Sequence, residues 1–368
     1  MSALDEIRVV TNSSKEYLNQ RQLLDYRSQR EACLQWLLTF GKNPERADGY
    51  ARQTVKSRAN RMDRFYRWVW DDKEGYTANV THDYADAYLR HLAQQDKSNV
   101  HKSNCRKALQ MLFKWRHHEH GLPEWDPTLS FSTTSSAANP RDYLTREERS
   151  KIREAVLEYG SIPSYTDLSP TERERWKAYL AQRFDKPKSD VTPADWERAN
   201  GWKYPSLVWV SLDAGLRPIE VERAVTSWVD LDNRVLRIPK EQSSKNYDNW
   251  LVGLQQRTVD VLKRWLRERE NYDKYEDTET LWLTREANPY QTTALRHLLS
   301  KLCEIAEIPT ENRRMSWYAI RHSTGTYMTR EEDLAAAQAQ LRHKSAQTTM
   351  KYDQVPVEDR QDALDRMG

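Results

Sequence analysis

The chain has 368 residues, which is long for a single hydrophobic core and predicts two domains. Charged residues make up 31% and hydrophobic residues 38%, a mixture that favours long solvated helices over a buried parallel sheet. With only 10 glycines and 14 prolines, the composition excludes a turn-rich all-β fold.

The cysteines and the hydropathy pattern bear on the compartment. Cys33, Cys105 and Cys303 are far apart and odd in number, which argues for a reducing cytoplasm and against a disulfide framework or a zinc ribbon. No apolar run approaches a membrane span, and residues 1–17 hold no signal-peptide core. We therefore expect a cytoplasmic protein that has no membrane partner.

The first part of the chain predicts a helical domain. After a loosely ordered lead-in at residues 1–20, apolar residues recur at three- and four-residue steps. They predict helices over residues 21–40 and 49–70, a third helix capped by Thr81, and a fourth from about Asn99 to His118. We assign this domain to residues 21–130.

Two of these helices carry basic stripes opposite much of their apolar set. The net charge of +3 says little, but the distribution of the cations is uneven. In the second helix, Asp63 is the one acid among six cations, and the stretch of the fourth helix from Lys102 to Arg116 has no acid. Such stripes suit phosphate contacts as well as a solvated face. The candidate DNA-binding residues are Arg52, Lys56, Arg58, Arg61, Lys102, Arg106, Lys107 and Lys114.

Residues 131–140 are rich in small residues and end in a proline, which predicts a linker to a second domain at residues 141–368. Thr145 and Glu148 form a capping-box pattern that starts its first helix. The polar, proline-containing residues 160–203 indicate an insertion or a helical hairpin.

A small antiparallel sheet is predicted in this otherwise helical domain. Residues 228–231 and 235–238 flank a turn and predict a hairpin, and residues 250–252 add a third strand. The loop before the third strand holds Lys240 and Lys245. The fold class is therefore mainly α with a small antiparallel β-sheet.

Arginine, histidine and tyrosine recur at fixed spacings towards the C-terminus. Arg217 stands three residues before Glu220, so the two share a helix face. Arg321, His343 and Tyr352 follow downstream. Two arginines can clamp a phosphate, a histidine can hydrogen-bond to it and a tyrosine can attack it. Each motif alone is modest, but their combination indicates covalent chemistry on a DNA backbone.

Four segments resemble the motifs of the tyrosine recombinase (phage integrase) family. Residues 215–220 (GLRPIE) are similar to its first-arginine motif, and residues 318–322 (YAIRH) to its His-x-x-Arg-His box. Residues 341–345 (LRHKS) resemble its Leu-Gly-His-x-Ser box, and residues 348–352 (TTMKY) its Thr-Thr-x-x-Tyr motif. The N-terminal helices resemble the family's core-binding (SAM-like) domain, so the resemblance covers essentially the whole chain. The motifs also resemble those of integrases of archaea and their mobile elements.

The resemblance implies a role for each matching residue. Tyr352 is the nucleophile that gives a 3′-phosphotyrosine and a free 5′-hydroxyl. Arg217 and Arg321 bind the non-bridging phosphate oxygens, and His343 hydrogen-bonds to the phosphate. Lys245 is the general acid for the leaving 5′-oxygen, with Lys240 as the alternative in the same loop.

The remaining motif positions support the site or depart from the family pattern. Glu220 and His322 are expected to support the site. Tyr318 stands where the family usually has histidine, and a phenol with a pKa near ~10 is a poor base at neutral pH. Removal of the Tyr352 proton then falls to His343, water or the phosphate itself. Arg342 replaces the family's glycine and adds a cation near the site.

By this resemblance the chain is a site-specific DNA recombinase acting in integration or excision, without metal, ATP or other cofactor. The expected partners are double-stranded DNA, three further copies in a tetramer on paired sites, and accessory DNA-bending proteins. The free protein is expected to be a monomer or dimer, and the DNA-bound protein to be associated with the nucleoid. The C-terminal residues 353–368 either dock on a neighbouring copy or pack on their own domain. Alternatives are a Xer-like dimer resolvase, a type IB topoisomerase with the same chemistry, and a catalytically silent DNA-binding protein.

Overall fold

The computed structural model describes residues 4, 7–132, 142–160, 162, 165–166, 168–199, 201–244, 248–270, 272–353 and 355–367. The chain divides into two compact units, Met1–Asn139 and Pro140–Gly368. Most of the predicted linker and the predicted general acid Lys245 lie outside the described residues. None of the helices within the described ranges is long and apolar enough to cross a membrane.

The first unit is a bundle of helices, and polar side chains cap the starts of most of those described. Thr81 Oγ1 accepts from the Tyr84 N–H at 3.4 Å, and Ser98 Oγ accepts from the His101 N–H at 3.2 Å. These caps fix the third and fourth predicted helices. The helices are α1 (Asn12–Lys15), α2 (Gln20–Thr39), α3 (Arg52–Asp72), α4 (His82–Gln94) and α5 (Asn99–His120), with a 3-10 turn at Pro44–Arg46.

The core of this unit contains a buried polar network beside its aromatic residues. Asp63 is fully buried and accepts from Tyr26 Oη at 3.1 Å and from Thr11 Oγ1 at 2.7 Å. Arg30 is also buried and donates to the carbonyls of Val9 and Ala59. Because the Asp63 carboxylate and the Nε and Nη2 atoms of Arg30 have hydrogen-bond partners, their burial is tolerated.

The second unit is built around the apolar helix Lys203–Ala214 (α9), which packs against the helices Arg146–Gly160 (α6), Gln256–Arg269 (α11) and Trp317–Glu331 (α13). The predicted capping box is present: Glu148 N–H donates to Thr145 Oγ1 at 3.2 Å, and Thr145 N–H donates to Glu148 Oε2 at 2.9 Å. The helices are α6 (Arg146–Gly160), α7 (Pro170–Arg183), α8 (Pro193–Ala199), α9 (Lys203–Ala214), α10 (Pro218–Arg223), α11 (Gln256–Arg269), α12 (Thr292–Ile305), α13 (Trp317–Glu331), α14 (Leu334–Leu341), α15 (Ala346–Thr349) and α16 (Val357–Met367).

The predicted hairpin and third strand are confirmed. Strands β1 (Val229–Asp230), β2 (Val235–Ile238) and β3 (Trp250–Gly253) form an antiparallel sheet in the order β1-β2-β3. Leu236 pairs with Val252, and both are buried. In the described start of the loop between β2 and β3, Ser243 O accepts from Arg223 Nη1 at 3.0 Å. The predicted fold class is confirmed.

Two smaller parts complete this unit. Helices α7 and α8 bury a separate cluster that includes Leu180 and Trp196, so the polar stretch at 160–203 has a small core of its own. Helix α16 contacts α13, where Tyr327 Oη donates to Glu358 Oε1 and Arg330 pairs with Asp359. Its Leu364 side chain is 65% exposed, which leaves an apolar face open.

Gly215, which ends α9, predicts a stability difference. It has φ +56°, and an added Cβ would lie 2.6 Å from Leu341 Cδ2. Gly121 ends α5 at φ +65° with nothing within 4 Å of an added Cβ. Gly121→Ala should cost about 1–2 kcal/mol, from backbone strain alone. Gly215→Ala should cost about 1–3 kcal/mol more, from overpacking. Calorimetric unfolding of both variants checks this, and equal losses would contradict it.

Candidate active site

The first candidate arginine is held by its own helix. Arg217 precedes α10, and Glu220 Oε2 accepts from its backbone N–H at 2.8 Å while Glu220 Oε1 accepts from Nη1 at 2.7 Å. Arg217 Nη2 also lies 3.4 Å from the carbonyls of Leu341 and Arg342. The Arg217 side chain is 14% exposed. Its guanidinium is therefore held by these acceptors and still partly accessible to a ligand.

The second candidate arginine, Arg321, lies on α13 and is almost fully buried. Nη1 donates to the carbonyl of Gly215 at 2.6 Å, and Nη2 donates to the carbonyl of Leu341 and lies 3.0 Å from His343 Nε2. Burial and the neighbouring guanidiniums of Arg342 and Arg217 lower the pKa of Arg321 to about 9. The group stays charged at neutral pH, but its surroundings favour an incoming anion.

The contacts of His343 determine its tautomer. Arginine can only donate, so Nε2, 3.0 Å from Arg321 Nη2, must be the unprotonated nitrogen. Nδ1 then carries the proton and donates to Thr349 Oγ1 at 3.0 Å. Thr349 is 1% exposed and lies three residues before Tyr352. One buried hydroxyl thus joins the histidine to the segment that holds the nucleophile.

Tyr352 is buried among the other motif residues. Its ring is 6% exposed and stacks on His343 with centroids 5.6 Å apart, and the His322 ring lies 5.4 Å away. A Cβ at Gly325 on α13 would lie 2.6 Å from Tyr352 Cδ1. The nucleophile's ring therefore occupies a space that exists because residue 325 has no side chain.

These residues line one cleft of about 320 Å³. Among its described lining residues, five carry a cationic side chain and none carries a carboxylate. This charge and size suit a phosphodiester. The lining residues are Arg217, Ser243, Ser244, Trp250, Tyr318, Arg321, His322, Arg342, His343, Lys344, Ser345, Thr348, Lys351 and Tyr352.

The remaining candidate residues lie around this cleft. Tyr318 is at its rim, 44% exposed, with its ring 6.2 Å from that of His322. Glu220 is buried behind it rather than lining it. Lys240 is exposed and does not line the cleft, whereas Ser243 and Ser244, which immediately precede Lys245, do.

Arg342 has a larger part in the site than its sequence position suggested. Its guanidinium donates to both oxygens of Glu220 and to the carbonyls of Ala214, Gly215 and Gln340. The signal available in the sequence was a cation at a motif position usually held by glycine. Thr349 was part of a motif, but its contact with His343 was not foreseeable from spacing.

The cations of the two basic stripes in the first unit differ in their surroundings. Arg52, Lys56 and Lys107 are exposed. Arg58 Nη1 donates to the backbone and side-chain oxygens of Asn104 at 2.7 and 3.0 Å and so ties α3 to α5. Arg61 Nη1 donates to Ser57 on its own helix.

The other stripe residues are more enclosed. Lys114 Nζ donates to the carbonyls of Gly41 and Lys42 at 3.0 and 2.9 Å, and Arg106 is half-buried. Lys102 is only 8% exposed and donates to the Ala93 carbonyl at 3.0 Å. Because its ammonium is bonded to the end of α4, Lys102 is not part of an exposed cationic surface.

Comparisons with known proteins identify similar sequences. Residues 196–358 match the model of the Phage integrase family. A Tyrosine recombinase XerC of Treponema denticola is 26% identical over 100 residues, 27% of this chain and 32% of that protein's length. Another XerC, of Bifidobacterium longum, is 20% identical over 290 residues, 73% of this chain and 79% of the relative.

A solved structure shares the fold. The XerH site-specific recombinase bound to a palindromic difH substrate is 16% identical, and the alignment covers 96% of this chain and 90% of that one with a TM-score of 0.57. The matched segment 196–358 contains all four motifs that meet at the cleft. These matches support a tyrosine recombinase, with the likeness to the Phage integrase family carried by residues 196–358.

Proposed function

We propose that this chain is a tyrosine recombinase that cuts and rejoins double-stranded DNA at specific sites, with Tyr352 as its nucleophile. The observation that carries the proposal is the meeting of Arg217, Arg321, His343 and Tyr352 in one cationic cleft. The two arginines bind the non-bridging oxygens and stabilise the charge of the pentacoordinate transition state.

In the proposed step, Tyr352 Oη bonds to phosphorus while the bond from phosphorus to the 5′-oxygen breaks. The tyrosine proton passes to a base, and the 5′-oxygen takes a proton from an acid. The 3′-phosphotyrosine keeps the energy of the phosphodiester, so a 5′-hydroxyl can reverse the step without ATP. Exchange between two cut sites then gives recombination.

His343 is the proposed acceptor of the tyrosine proton. A phosphate oxygen that takes the Arg321 N–H would release His343 Nε2, the unprotonated nitrogen, beside the stacked Tyr352 ring. The bond from Nδ1–H to Thr349 favours this tautomer. Tyr318, at the rim, then acts as a neutral hydrogen-bond donor to the phosphate.

The proposed partners are DNA and further copies of the chain. The XerH relative is bound to DNA in its solved structure. For this chain we propose that the exposed cations of α3 and α5 contact the duplex, and that four copies act on two paired sites. The exposed Leu364 side of α16 is available for a neighbouring copy.

The nucleophile is tested with a DNA duplex nicked next to the cleavage site, so that the cut is not reversed. The wild type and Tyr318→Phe should form a covalent protein–DNA adduct, seen as a band that survives denaturation. Tyr352→Phe should form none because it lacks the attacking oxygen. No adduct from the wild type would support a silent DNA-binding protein instead. Relaxation of supercoils without exchange between sites would favour a topoisomerase.

The general acid is tested by replacing the scissile 5′-oxygen with sulfur, a leaving group that needs no proton. We expect Lys245→Ala to slow cleavage of normal DNA by about 100- to 10,000-fold and to cut the sulfur substrate at the wild-type rate. Lys240→Ala, four residues from the cleft-lining Ser244, should slow neither. Rescue of Lys240→Ala by sulfur, with none for Lys245→Ala, would reverse the assignment.

The DNA-facing surface is tested by the salt dependence of binding. Lys107→Ala removes an exposed cation of α5 and should reduce the slope of log affinity against log salt by about 0.9 for each lost phosphate contact. Arg21→Ala removes an exposed cation of α2 and should leave the slope unchanged. Equal slopes for Lys107→Ala and wild type would show that Lys107 faces away from the duplex.

A further inference from the structure

The backbone at Arg342 is unusual for a residue with a side chain. It ends α14 with φ 57° and ψ 50°, in the left-handed region that favours glycine. The next residue is His343, so this turn decides where the imidazole stands. A bulky side chain at such a position calls for a compensating interaction.

The side chain of Arg342 supplies that compensation. Nη1 donates to the carbonyls of Ala214 and Gln340 at 2.8 and 2.6 Å, and Nη2 donates to Gly215 O at 3.1 Å and Glu220 Oε2 at 2.8 Å. Nε lies 3.3 Å from Glu220 Oε1. All five N–H groups of the guanidinium therefore have acceptors, and the side chain is 1% exposed. It has none left for a phosphate.

The acceptors of Arg342 are the same groups that hold the two phosphate-binding arginines. Glu220 also accepts from the backbone and side chain of Arg217, and Gly215 O also accepts from Arg321 Nη1 at 2.6 Å. The end of α9, the start of α10 and the His343 turn are thus joined through one guanidinium.

We propose that Arg342 is a positioning residue that fastens the His343 turn to the loop at residues 215–220 and, through Glu220, orients Arg217 towards the scissile phosphate. This inference rests on the proposed DNA cleavage for its kinetic consequence. The fastening itself is a property of the protein alone, so the two can be tested separately.

The test uses Arg342→Gly, because glycine removes the guanidinium and also relieves the left-handed backbone, which offsets part of the cost of losing the buried ion pair. Single-turnover adduct formation on the nicked duplex should slow by about 10- to 100-fold. This is the loss expected when a catalytic group is misplaced by up to about 1 Å. DNA binding, measured separately, should stay within about threefold of wild type.

The kinetic route through Arg217 is tested by a double variant. If Arg342 acts partly by orienting Arg217, Arg342→Gly should slow the Arg217→Ala enzyme by a smaller factor than it slows the wild type, the remainder acting through the His343 turn. A matched control is Gln340→Ala, which removes hydrogen bonds from the same helix to Asp213 O and to Gly253 without touching Glu220. The fold-reduction in rate caused by Gln340→Ala should multiply with the fold-reduction caused by Arg217→Ala. Multiplication for Arg342→Gly as well would overturn the proposed route.

A readout independent of cleavage separates this inference from the proposed function. Amide hydrogen exchange of residues 215–223 should accelerate in Arg342→Gly and not in Gln340→Ala, because the Arg217 N–H bond to Glu220 loosens. Unchanged exchange would refute the fastening whether or not the wild type cleaves DNA. If Arg342→Gly exchanges faster but the wild type forms no adduct, the fastening is upheld and the proposed cleavage is refuted.

Discussion

The arrangement of the site depends on one buried carboxylate. The guanidiniums of Arg217 and Arg342 both bind Glu220, and that of Arg321 lies close enough to affect it. Two like charges 4 Å apart repel by about 4 kcal/mol at an effective dielectric constant near 20, so the arginines need this counter-charge. Burial alone would favour the neutral acid, but the guanidiniums of Arg342 and Arg217 outweigh it and hold the pKa of Glu220 well below its usual range. The carboxylate is therefore ionised at neutral pH.

The remaining positive charge points towards the cleft. Three guanidiniums against one carboxylate leave an excess that a phosphodiester can neutralise, and Lys344 and Lys351 add to it at the lining. Because the donors are already held by carbonyls of the α9 end and of Leu341, little reorganisation is needed when the anion enters. The site is preorganised by backbone groups as much as by side chains.

Much of this architecture could be predicted from the sequence. Helix periodicity and caps such as Thr81 predicted the helices of the first unit, and the turn at residues 232–234 predicted the hairpin, because these signals are local. The relation of Arg342 to Glu220 spans 122 residues, so spacing could not reveal it. The same holds for Asp63: it reads as the one acid in a basic stripe, yet it is buried with Tyr26 and leaves the exposed face more uniformly positive. Lys102 is the opposite case: the sequence places it in an exposed basic stripe, but its stem and ammonium are enclosed.

Gly325 has a consequence for how this chain can evolve. A glycine inside a helix costs about 1 kcal/mol relative to alanine, and α13 bears that cost near its middle. Alanine would strengthen the helix but would place a methyl group against the ring of Tyr352 and the side chain of Leu341. Selection for a firmer helix and selection for a well-seated nucleophile therefore act in opposite directions at this residue. A heat-adapted descendant of this chain would have to gain its stability at other positions.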